Sequence, residues 1–490
     1  MVGYSAGCAV TPAMGLVQEC QEKAKRAHAA IAYLPTGHTP ASNPSDRYLP
    51  AARARGARLR RSLRAIALLL TASCGERDNP NEVRFWALGR EGEVVKEMVR
   101  DFEKEHPEIK VRVQQIPWSA AHEKLLTAHV GNVTPDVAQI GNTWVPEFVA
   151  LHALEPLSPL VAASQTVEAK AYFPGIWETN VLADTVWGVP WYVDTRLMYY
   201  RKDLLQKAGW SKPPTTWKDW RLAMEKIRQT STRGPEGEQQ WSAFIPTNEW
   251  NLPIILGLQN GSTLLRDDNG RGAFKDPEFR QAFEYFVAMY RDGLAPKFGS
   301  NDVANLYQEF AKGRFVFYVS GPWQIGEFKR RLPSDMQGSW ATAPMPGPKA
   351  GVPGVSLAGG ASLVVFKRSK QKAAAWQLIE FLSRPEQQVR FYELTGDLPA
   401  RTDAWRAPRL ANDTLSQAFY TQLLHVLPTP KVPEWELIAQ RVIDHAETVV
   451  RGNTSVDDAL QALDKDVDNI LEKRRWLQNR KVAAKTLPKP

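Results

Sequence analysis

Tryptophan and polar side chains recur in this sequence where strands end or loops turn. Trp86 lies in the apolar run VRFWAL, Asn142 and Trp144 follow the short run DVAQIG, and Trp250 and Trp435 stand in turn-rich stretches. Indole rings cover the C–H faces of a ligand at little entropic cost, and amide or carboxylate groups hydrogen-bond its hydroxyls. These residue types favour a site for a polyhydroxylated small molecule, with packing in a core as the alternative at each position.

Carboxylates leave a second chemistry open. Asp194 could pair with Glu249 or Glu434 across a glycosidic bond, as a secreted glycoside hydrolase requires. No HExxH, G-x-S-x-G or P-loop pattern occurs and the histidines lack metal-ligand spacing, so we expect no metal and no other cofactor. Binding of another solute, such as a glycerophosphodiester or a polyamine, is a third alternative. A phosphate ligand should bring convergent Arg or Lys at helix starts, and the sequence shows no such cluster. The spacing of the carboxylates does not exclude a hydrolase, so binding and hydrolysis both stay open at this point.

Alternating strand and helix patterns must position these residues. From Val83 the order is β-α-β-α-β, because VRFWAL, the alternating Ile109–Val113 and DVAQIG are separated by stretches with apolar residues at helical spacing. This order predicts an α/β fold with a largely parallel sheet and helices on both faces. Ligands of such sheets lie beyond the carboxyl ends of the strands, which directs attention to Trp86, Asn142 and Trp144.

The charge distribution argues against a nucleic-acid partner. The net charge is +9, but residues 1–73 hold ten Lys and Arg against three Asp and Glu, so residues 74–490 carry only +2. A nearly neutral body predicts no phosphate-backbone contacts. All 17 tryptophans follow Cys74, which is the single cysteine after the basic leader, so no disulfide framework is available.

A segment typical of export precedes the body. Arg60, Arg61 and Arg64 form a basic run, residues 65–70 are apolar, and small residues lead to Cys74. The apolar run is too short to cross a bilayer as a mature helix. The stretch LTASC resembles a bacterial lipobox, in which the cysteine is lipidated, although Thr71 replaces the commoner leucine. A buried cytosolic helix is the alternative.

The export segment divides the N-terminal region into three parts. We interpret residues 60–73 as a lipoprotein signal segment and residues 74–82 as a short polar tether. Residues 1–59 show no sustained apolar periodicity, so we expect an unstructured leader. It is either translated from upstream of the true start or a genuine disordered extension.

Four stretches of the body resemble one family when taken in order. They are VRDFEKEHPEIKVRV, GVPWYVDTRLMYYRKDLLQKAG, KGRFVFYVSGPW and LAGGASLVVFKRSKQKAAAWQLIEFLSRPE. Together they resemble the extracellular sugar-binding proteins of bacterial ABC importers, of the maltose- and trehalose-binding kind. The resemblance covers residues 83 to about 475.

The resemblance implies a two-lobe periplasmic-binding-protein fold of type II, with a hinge of two or three crossing strands. Lobe one would comprise residues 83–191 plus 350–385, and lobe two residues 194–345 plus 390–490. A carbohydrate would bind between the lobes without catalysis, and hinge closure would present it to membrane permease subunits. The chain would act as a monomer in the periplasm or at the cell surface, anchored by lipid at Cys74.

The resemblance also implies particular ligand contacts. Asp194 matches a hinge-adjacent acid that accepts sugar hydroxyls, with Tyr192 beside it, and Trp323 matches a stacking tryptophan. Gly360 would let backbone approach the ligand or would only serve the crossing turn. Arg401 is expected to donate to hydroxyls, with a surface ion pair as its alternative role.

Overall fold

The computed structural model describes residues 81–230 and 239–486, the last six of them by backbone alone. The predicted leader, signal segment and Cys74 lie outside these residues. No described helix combines the length and apolar character that a bilayer span needs.

Strands and helices alternate along most of the described residues. The strands are β1 (Glu82–Leu88), β2 (Lys110–Ile116), β3 (Val137–Gly141), β4 (Val181–Leu182), β5 (Thr185–Val186), β6 (Val189–Asp194), β7 (Leu197–Arg201), β8 (Trp241–Phe244), β9 (Leu265–Arg266), β10 (Arg271–Gly272), β11 (Phe315–Ser320), β12 (Trp340–Ala343), β13 (Ser356–Leu357), β14 (Gly359–Val365), β15 (Leu398–Pro399) and β16 (Val426–Leu427). The α-helices are α1 (Glu91–Glu105), α2 (Trp118–Val130), α3 (Val145–Ala150), α4 (Ser158–Ala163), α5 (Pro174–Glu178), α6 (Lys202–Lys207), α7 (Trp217–Thr230), α8 (Asn251–Gln259), α9 (Pro277–Arg291), α10 (Leu306–Ala311), α11 (Trp323–Arg331), α12 (Lys372–Leu382), α13 (Pro385–Thr395), α14 (Pro408–Ala411), α15 (Thr414–Leu423), α16 (Trp435–Val450), α17 (Val456–Ile470) and α18 (Glu472–Thr486).

The first sheet has the strand order β15-β6-β14-β3-β1-β2. The predicted β-α-β-α-β series is confirmed as β1, α1, β2, α2 and β3, whose strands are parallel. The other half of the sheet is antiparallel, because β14 pairs with both β3 and β6 in the opposite direction. The sheet is therefore mixed rather than largely parallel. We call this sheet, with its helices, the first lobe.

The second sheet has the order β12-β7-β11-β8. Strand β11 is parallel to β8 and antiparallel to β7. The sheet is buried on both sides, since every residue of β7 and of β11 is buried. Trp220 packs edge-on against Phe317 on one side of it, with ring centroids 6.4 Å apart. We call this sheet, with its helices, the second lobe.

The chain passes between the lobes at three places. Strand β6 of the first sheet becomes β7 of the second after only two residues, Thr195 and Arg196, and the chain returns between β12 and β14. Helix α15 then packs against the second sheet, where the Thr342 hydroxyl donates to the Leu415 carbonyl over 2.8 Å. Because β15 still pairs with β6 of the first sheet, this third passage lies further along the chain than the predicted boundary at 385–390.

Two glycines allow β6 and β14 to pair closely at the crossing. A Cβ at Gly359 would lie 2.3 Å from the Asp194 carbonyl oxygen, and one at Gly360 would lie 2.3 Å from that of Tyr192. Gly360 also has a φ of +145°, which side chains rarely adopt. This close approach and the backbone conformation support the role of Gly360 in the crossing turn, one of its two expected roles.

We expect Gly360→Ala to destabilise the protein, because the new Cβ must push the two strands apart from an unfavourable backbone conformation. The free energy of unfolding should fall by about 2 kcal/mol in urea denaturation. Gly338→Ala is the matched control, since its Cβ would meet nothing within 4 Å. Equal stability of the two variants would contradict this account.

Candidate functional site

A cavity of about 640 Å³ opens between the two lobes, at the base formed by the crossing segments. Its lining includes residues of the first lobe, of the second lobe and of the crossings. The aromatic and charged members are Arg90, Glu91, Trp118, Trp144, Tyr192, Asp194, Arg196, Trp250, Trp323, Glu327 and Asp397. Four indole rings and four carboxyl groups therefore face one space, which suits a ligand with apolar faces and several hydroxyls.

The carboxyl end of β3 supplies one wall of the cavity. A turn of 3-10 helix over Asn142–Trp144 follows the strand directly. The Asn142 amide donates to the Ala358 carbonyl over 2.7 Å, which ties this turn to the second crossing. The Trp144 ring meets Trp118 edge-on, with centroids 5.8 Å apart, so the two indoles form an aromatic corner.

A chain of hydrogen bonds fixes the carboxylate at the start of α1. Leu88 N–H donates to Gln139, the Gln139 amide donates to the Tyr192 hydroxyl over 3.0 Å, and that hydroxyl donates to Glu91 over 2.8 Å. Burial is the main cause that raises the pKa of Glu91 above its ordinary value. Asp397 lies on the same side of the cavity, and its burial, reinforced by the charge of Glu91, raises its pKa well above the ordinary value.

The second lobe contributes two tryptophans. Trp250 meets the buried Trp435 edge-on, with centroids 5.5 Å apart, so Trp435 supports Trp250 from behind. Trp323 begins α11 and folds back over Gly321, where a Cβ would lie 1.9 Å from the indole ring. The Gly-Pro turn before α11 therefore allows the ring to take this position, because Gly321 has no side chain that would clash with it.

The first crossing places a charged pair at the base of the cavity. Asp194 ends β6, and the Arg196 guanidinium two residues later forms an ion pair with it. Burial is the largest cause that raises the pKa of Asp194, and the Arg196 charge opposes that rise. The Arg196 guanidinium also lies over the Trp323 ring, 4.7 Å from its centroid.

Seven of the ten predicted contact residues line this cavity. They are Asn142, Trp144, Tyr192, Asp194, Trp250, Trp323 and Gly360. The structure brings them together from the ends of β3 and β6, from the start of β14, and from the starts of α8 and α11.

Three predicted residues do not line the cavity. Trp86 lies inside β1, which continues to Leu88, and its ring lies under Lys124 with the ammonium 5.0 Å from the centroid. Trp435 is 1% exposed. Arg401 is buried in the first lobe, where its guanidinium forms two hydrogen bonds with Asp403 of 2.9 and 2.6 Å. We therefore remove all three from the proposed set of direct ligand contacts.

The sequence interpretation missed several lining residues. Glu91 lies just beyond the end of VRFWAL, so the strand-end rule could have found it. Trp118 was missed because β2 continues to Ile116, beyond its predicted end at Val113. Arg196 was hidden within an apparently continuous extended run. Asp397 precedes β15 after a helix, and no local pattern signals that it reaches the cavity.

Within the described residues, no group of three or more His, Cys, Asp or Glu side chains is arranged to hold a metal ion. The cavity carboxylates instead face tryptophans, hydroxyls and two arginines. They are placed to accept hydrogen bonds from a neutral ligand.

Comparison with known proteins identifies the family. The model of the bacterial extracellular solute-binding proteins matches residues 86–389. The chain belongs to this family. The match covers the described part of the first lobe up to α13 and the second lobe up to β12.

Individual relatives extend the solute-binding match over most of the chain. The structure of the sugar-binding protein MalE from the phytopathogen Xanthomonas citri is 49% identical, covers 81% of this chain and 99% of its own, and has a TM-score of 0.77. An uncharacterized lipoprotein of Streptomyces antibioticus is 28% identical over 76% of this chain and 84% of its own length. The galactooligosaccharide-binding protein of Bacillus subtilis is 25% identical over 82% of this chain and 93% of its own. The predicted α/β binding-protein fold is thereby confirmed.

The elevated pKa of Asp397 gives this solute-binding protein a testable pH response. Below the pKa of an unfolded aspartate the group contributes its full stability. Between the pKa of Asp397 in the unfolded chain and its higher pKa in the folded protein, the native state keeps a proton that the unfolded chain has lost. The free energy of unfolding therefore falls as the pH rises through this range. Asp397→Asn cannot ionise, so it should lose less stability than the wild type between about pH 4 and pH 8 in urea denaturation.

Asp457→Asn is the control for Asp397→Asn. A hydrogen bond from Arg280 lowers the pKa of Asp457, so the stability that the ionised group contributes is gained below about pH 4, where an aspartate of the unfolded chain titrates. Between about pH 4 and pH 8, Asp397→Asn should therefore reduce the fall in stability, whereas Asp457→Asn should keep a slope close to that of the wild type. Identical slopes for Asp397→Asn and the wild type would refute the assignment.

Proposed function

We propose that this chain is the extracytoplasmic sugar-binding component of an ABC importer, which captures a mono- or oligosaccharide between its lobes and delivers it to membrane permease subunits. The observation that carries the proposal is that indole rings and carboxyl groups from both lobes face each other in the same cavity. Aromatic faces suit sugar rings, and charged acceptors make the stronger hydrogen bonds to hydroxyls.

Relatives support the choice of a sugar. The names of the Xanthomonas citri and Bacillus subtilis proteins describe sugar and galactooligosaccharide binding. The match to the Xanthomonas citri protein extends over almost the whole length of that protein. The family consists of binding proteins, which favours capture over hydrolysis. Glu434, a candidate second acid of a hydrolase, lies outside the cavity lining and is hydrogen-bonded by Arg474 over 2.8 Å. Glu249 does not line the cavity either.

Contacts between the lobes support capture by closure. The Thr143 hydroxyl, at the end of β3, donates to Glu436 on α16 over 2.6 Å. The Lys431 ammonium of the second lobe donates to the Val181 carbonyl of the first over 2.8 Å and forms an ion pair with Glu178. These polar contacts join the two lobes, and a ligand that contacts both lobes would add to them.

Lipid anchoring at Cys74, a monomeric state and the two-lobe boundaries are further parts of the proposal. The lipobox-like stretch LTASC supports the anchor, as does the similarity to a Streptomyces lipoprotein. For the boundaries we place residues up to Arg406 with the first lobe, since β15 pairs with β6. The lipid-anchored chain would lie in the periplasm or at the cell surface.

A panel of mono-, di- and trisaccharides in a thermal-shift assay tests the proposal. A sugar present at 100 times its dissociation constant should stabilise the folded chain by about 2.7 kcal/mol, because it binds only the native state. Chromatography of the same mixtures should recover each sugar intact. Release of smaller sugars would show hydrolysis and contradict the proposal, as would a panel without any stabilising member.

We expect Gly321→Ala to weaken binding of the most stabilising sugar in that panel. The Cβ would occupy the position of the Trp323 ring and displace it from the cavity. The dissociation constant from calorimetry should rise by about tenfold or more, as for loss of a central aromatic contact. Gly338→Ala, which meets open space, should leave it unchanged. Unchanged affinity in both variants would remove Trp323 from the binding site.

A further inference from the structure

Arg196 occupies a position where three structural parts of the cleft meet. Its backbone lies in the two-residue link between β6 and β7, the shortest passage between the lobes. The Ser356 hydroxyl of the second crossing donates to its carbonyl over 2.7 Å. Its side chain reaches both Asp194 at the end of the first sheet and Trp323 at the start of α11.

The guanidinium fits this position by its shape as well as its charge. A planar guanidinium over an indole ring gains cation–π energy and stacking that an ammonium cannot reproduce. The Arg196 side chain is 13% exposed, so little water reaches the guanidinium. Its Nε is buried without a hydrogen-bond partner among the described residues, so the stack and the Asp194 ion pair are the interactions that hold it.

The charge of Arg196 matters because its neighbours are mostly acidic. The ionisable groups that interact with Asp194 are Arg196, Glu249, Asp397 and the hydroxyls of Tyr192 and Tyr199. Arg196 is the cation of this set. Without it, Asp194 would lie near Glu249 and Asp397 and would lose the cation that opposes the rise in its pKa.

We propose that Arg196 is a positioning residue that holds the Trp323 ring and the Asp194 carboxylate in fixed relation across the first crossing. The carboxylate then accepts a ligand hydroxyl while the indole covers a ligand face. The inference deepens the proposed function and rests on it for the nature of the ligand. Its two parts, ring position and carboxylate charge, are observable without any ligand.

The first experiment follows the Trp323 ring in the ligand-free protein. The chain is labelled with 5-fluorotryptophan, and the Trp323 fluorine signal is assigned by its loss in Trp323→Phe. Both Arg196→Lys and Arg196→Met should move or broaden this signal, because neither restores the planar stack. Arg441→Met, the same change at an exposed arginine on α16, should leave it in place.

The second experiment separates charge from shape by titrating Asp194. Carboxyl carbon signals are followed against pH, with Asp194→Asn for assignment. The pKa of Asp194 should rise in Arg196→Met, whereas Arg196→Lys keeps a cation near the carboxylate and should stay close to the wild type. Circular dichroism verifies that each variant folds, and the lysine variant keeps the test informative if the methionine variant does not.

The third experiment links both parts to binding, with maltose as the probe in calorimetry. At pH 7, Arg196→Met should bind about tenfold more weakly or worse, as for loss of a charged hydrogen-bond acceptor, and should recover affinity as the pH rises. Arg196→Lys should bind more weakly with the wild-type pH profile. Affinity and pH profile unchanged in Arg196→Met would overturn the proposal.

The ligand-free measurements distinguish this inference from the proposed function. If wild-type protein fails to bind any sugar, the proposed function fails, while the fluorine and carboxyl signals still report on Arg196. If both signals are the same in Arg196→Met and the wild type, the positioning role is wrong even when sugars bind.

Discussion

The antiparallel pairing of β6 with β14 is the constraint on which the binding site depends. It brings two chain passages side by side at the base of the cavity, and each passage carries a functional group. Asp194 closes β6, and Gly359 and Gly360 open β14 directly opposite Val193 and Asp194. A side chain at either glycine would separate the strands, so the proximity of the two crossings at this point is set by backbone packing rather than by side-chain contacts.

Desolvated carboxyl groups are the second feature that organises the cavity. Burial raises the pKa of Glu91, Asp194 and Asp397, which shows that the folded protein holds these groups at a cost in free energy. Groups of this kind are retained at functional sites more readily than in structural cores. A ligand that donates hydroxyls to them recovers part of that cost, so binding energy and stability are connected through the same atoms.

The sequence predicted the fold well because the signals for it are local. Apolar periodicity located β1, α1, β2, α2 and β3, and four ordered stretches indicated the two-lobe arrangement. Asn142 and Trp144, which follow a strand end, line the cavity as expected. Trp86 does not line it, because it lies within β1 rather than beyond its end and its partly buried ring packs beneath Lys124.

Other site residues depend on contacts that only the folded chain creates. Arg401 was expected either to donate to ligand hydroxyls or to form a surface ion pair, and its buried guanidinium forms an ion pair with Asp403, two residues away. Trp435 looked exposed in its loop, but it begins a helix and packs behind Trp250. Asp397 reaches the cavity because α13 packs back on the first lobe. No spacing rule along the chain reports such tertiary placement.

Because the polar contacts between the lobes are weak, a ligand that contacts both lobes can control closure of the cleft. The hydrogen bond of Thr143 to Glu436 and the ion pair of Lys431 with Glu178 supply only a small polar contribution to the association of the lobes, and solvent screening weakens the second pair. A ligand shifts the equilibrium by no more than its difference in affinity for the two states. Indoles and carboxylates from both lobes contact one ligand only when the cleft is shut. That difference is therefore largest for a molecule that presents faces and hydroxyls to both lobes at once, and a ligand that touches a single lobe would bind without closing the cleft.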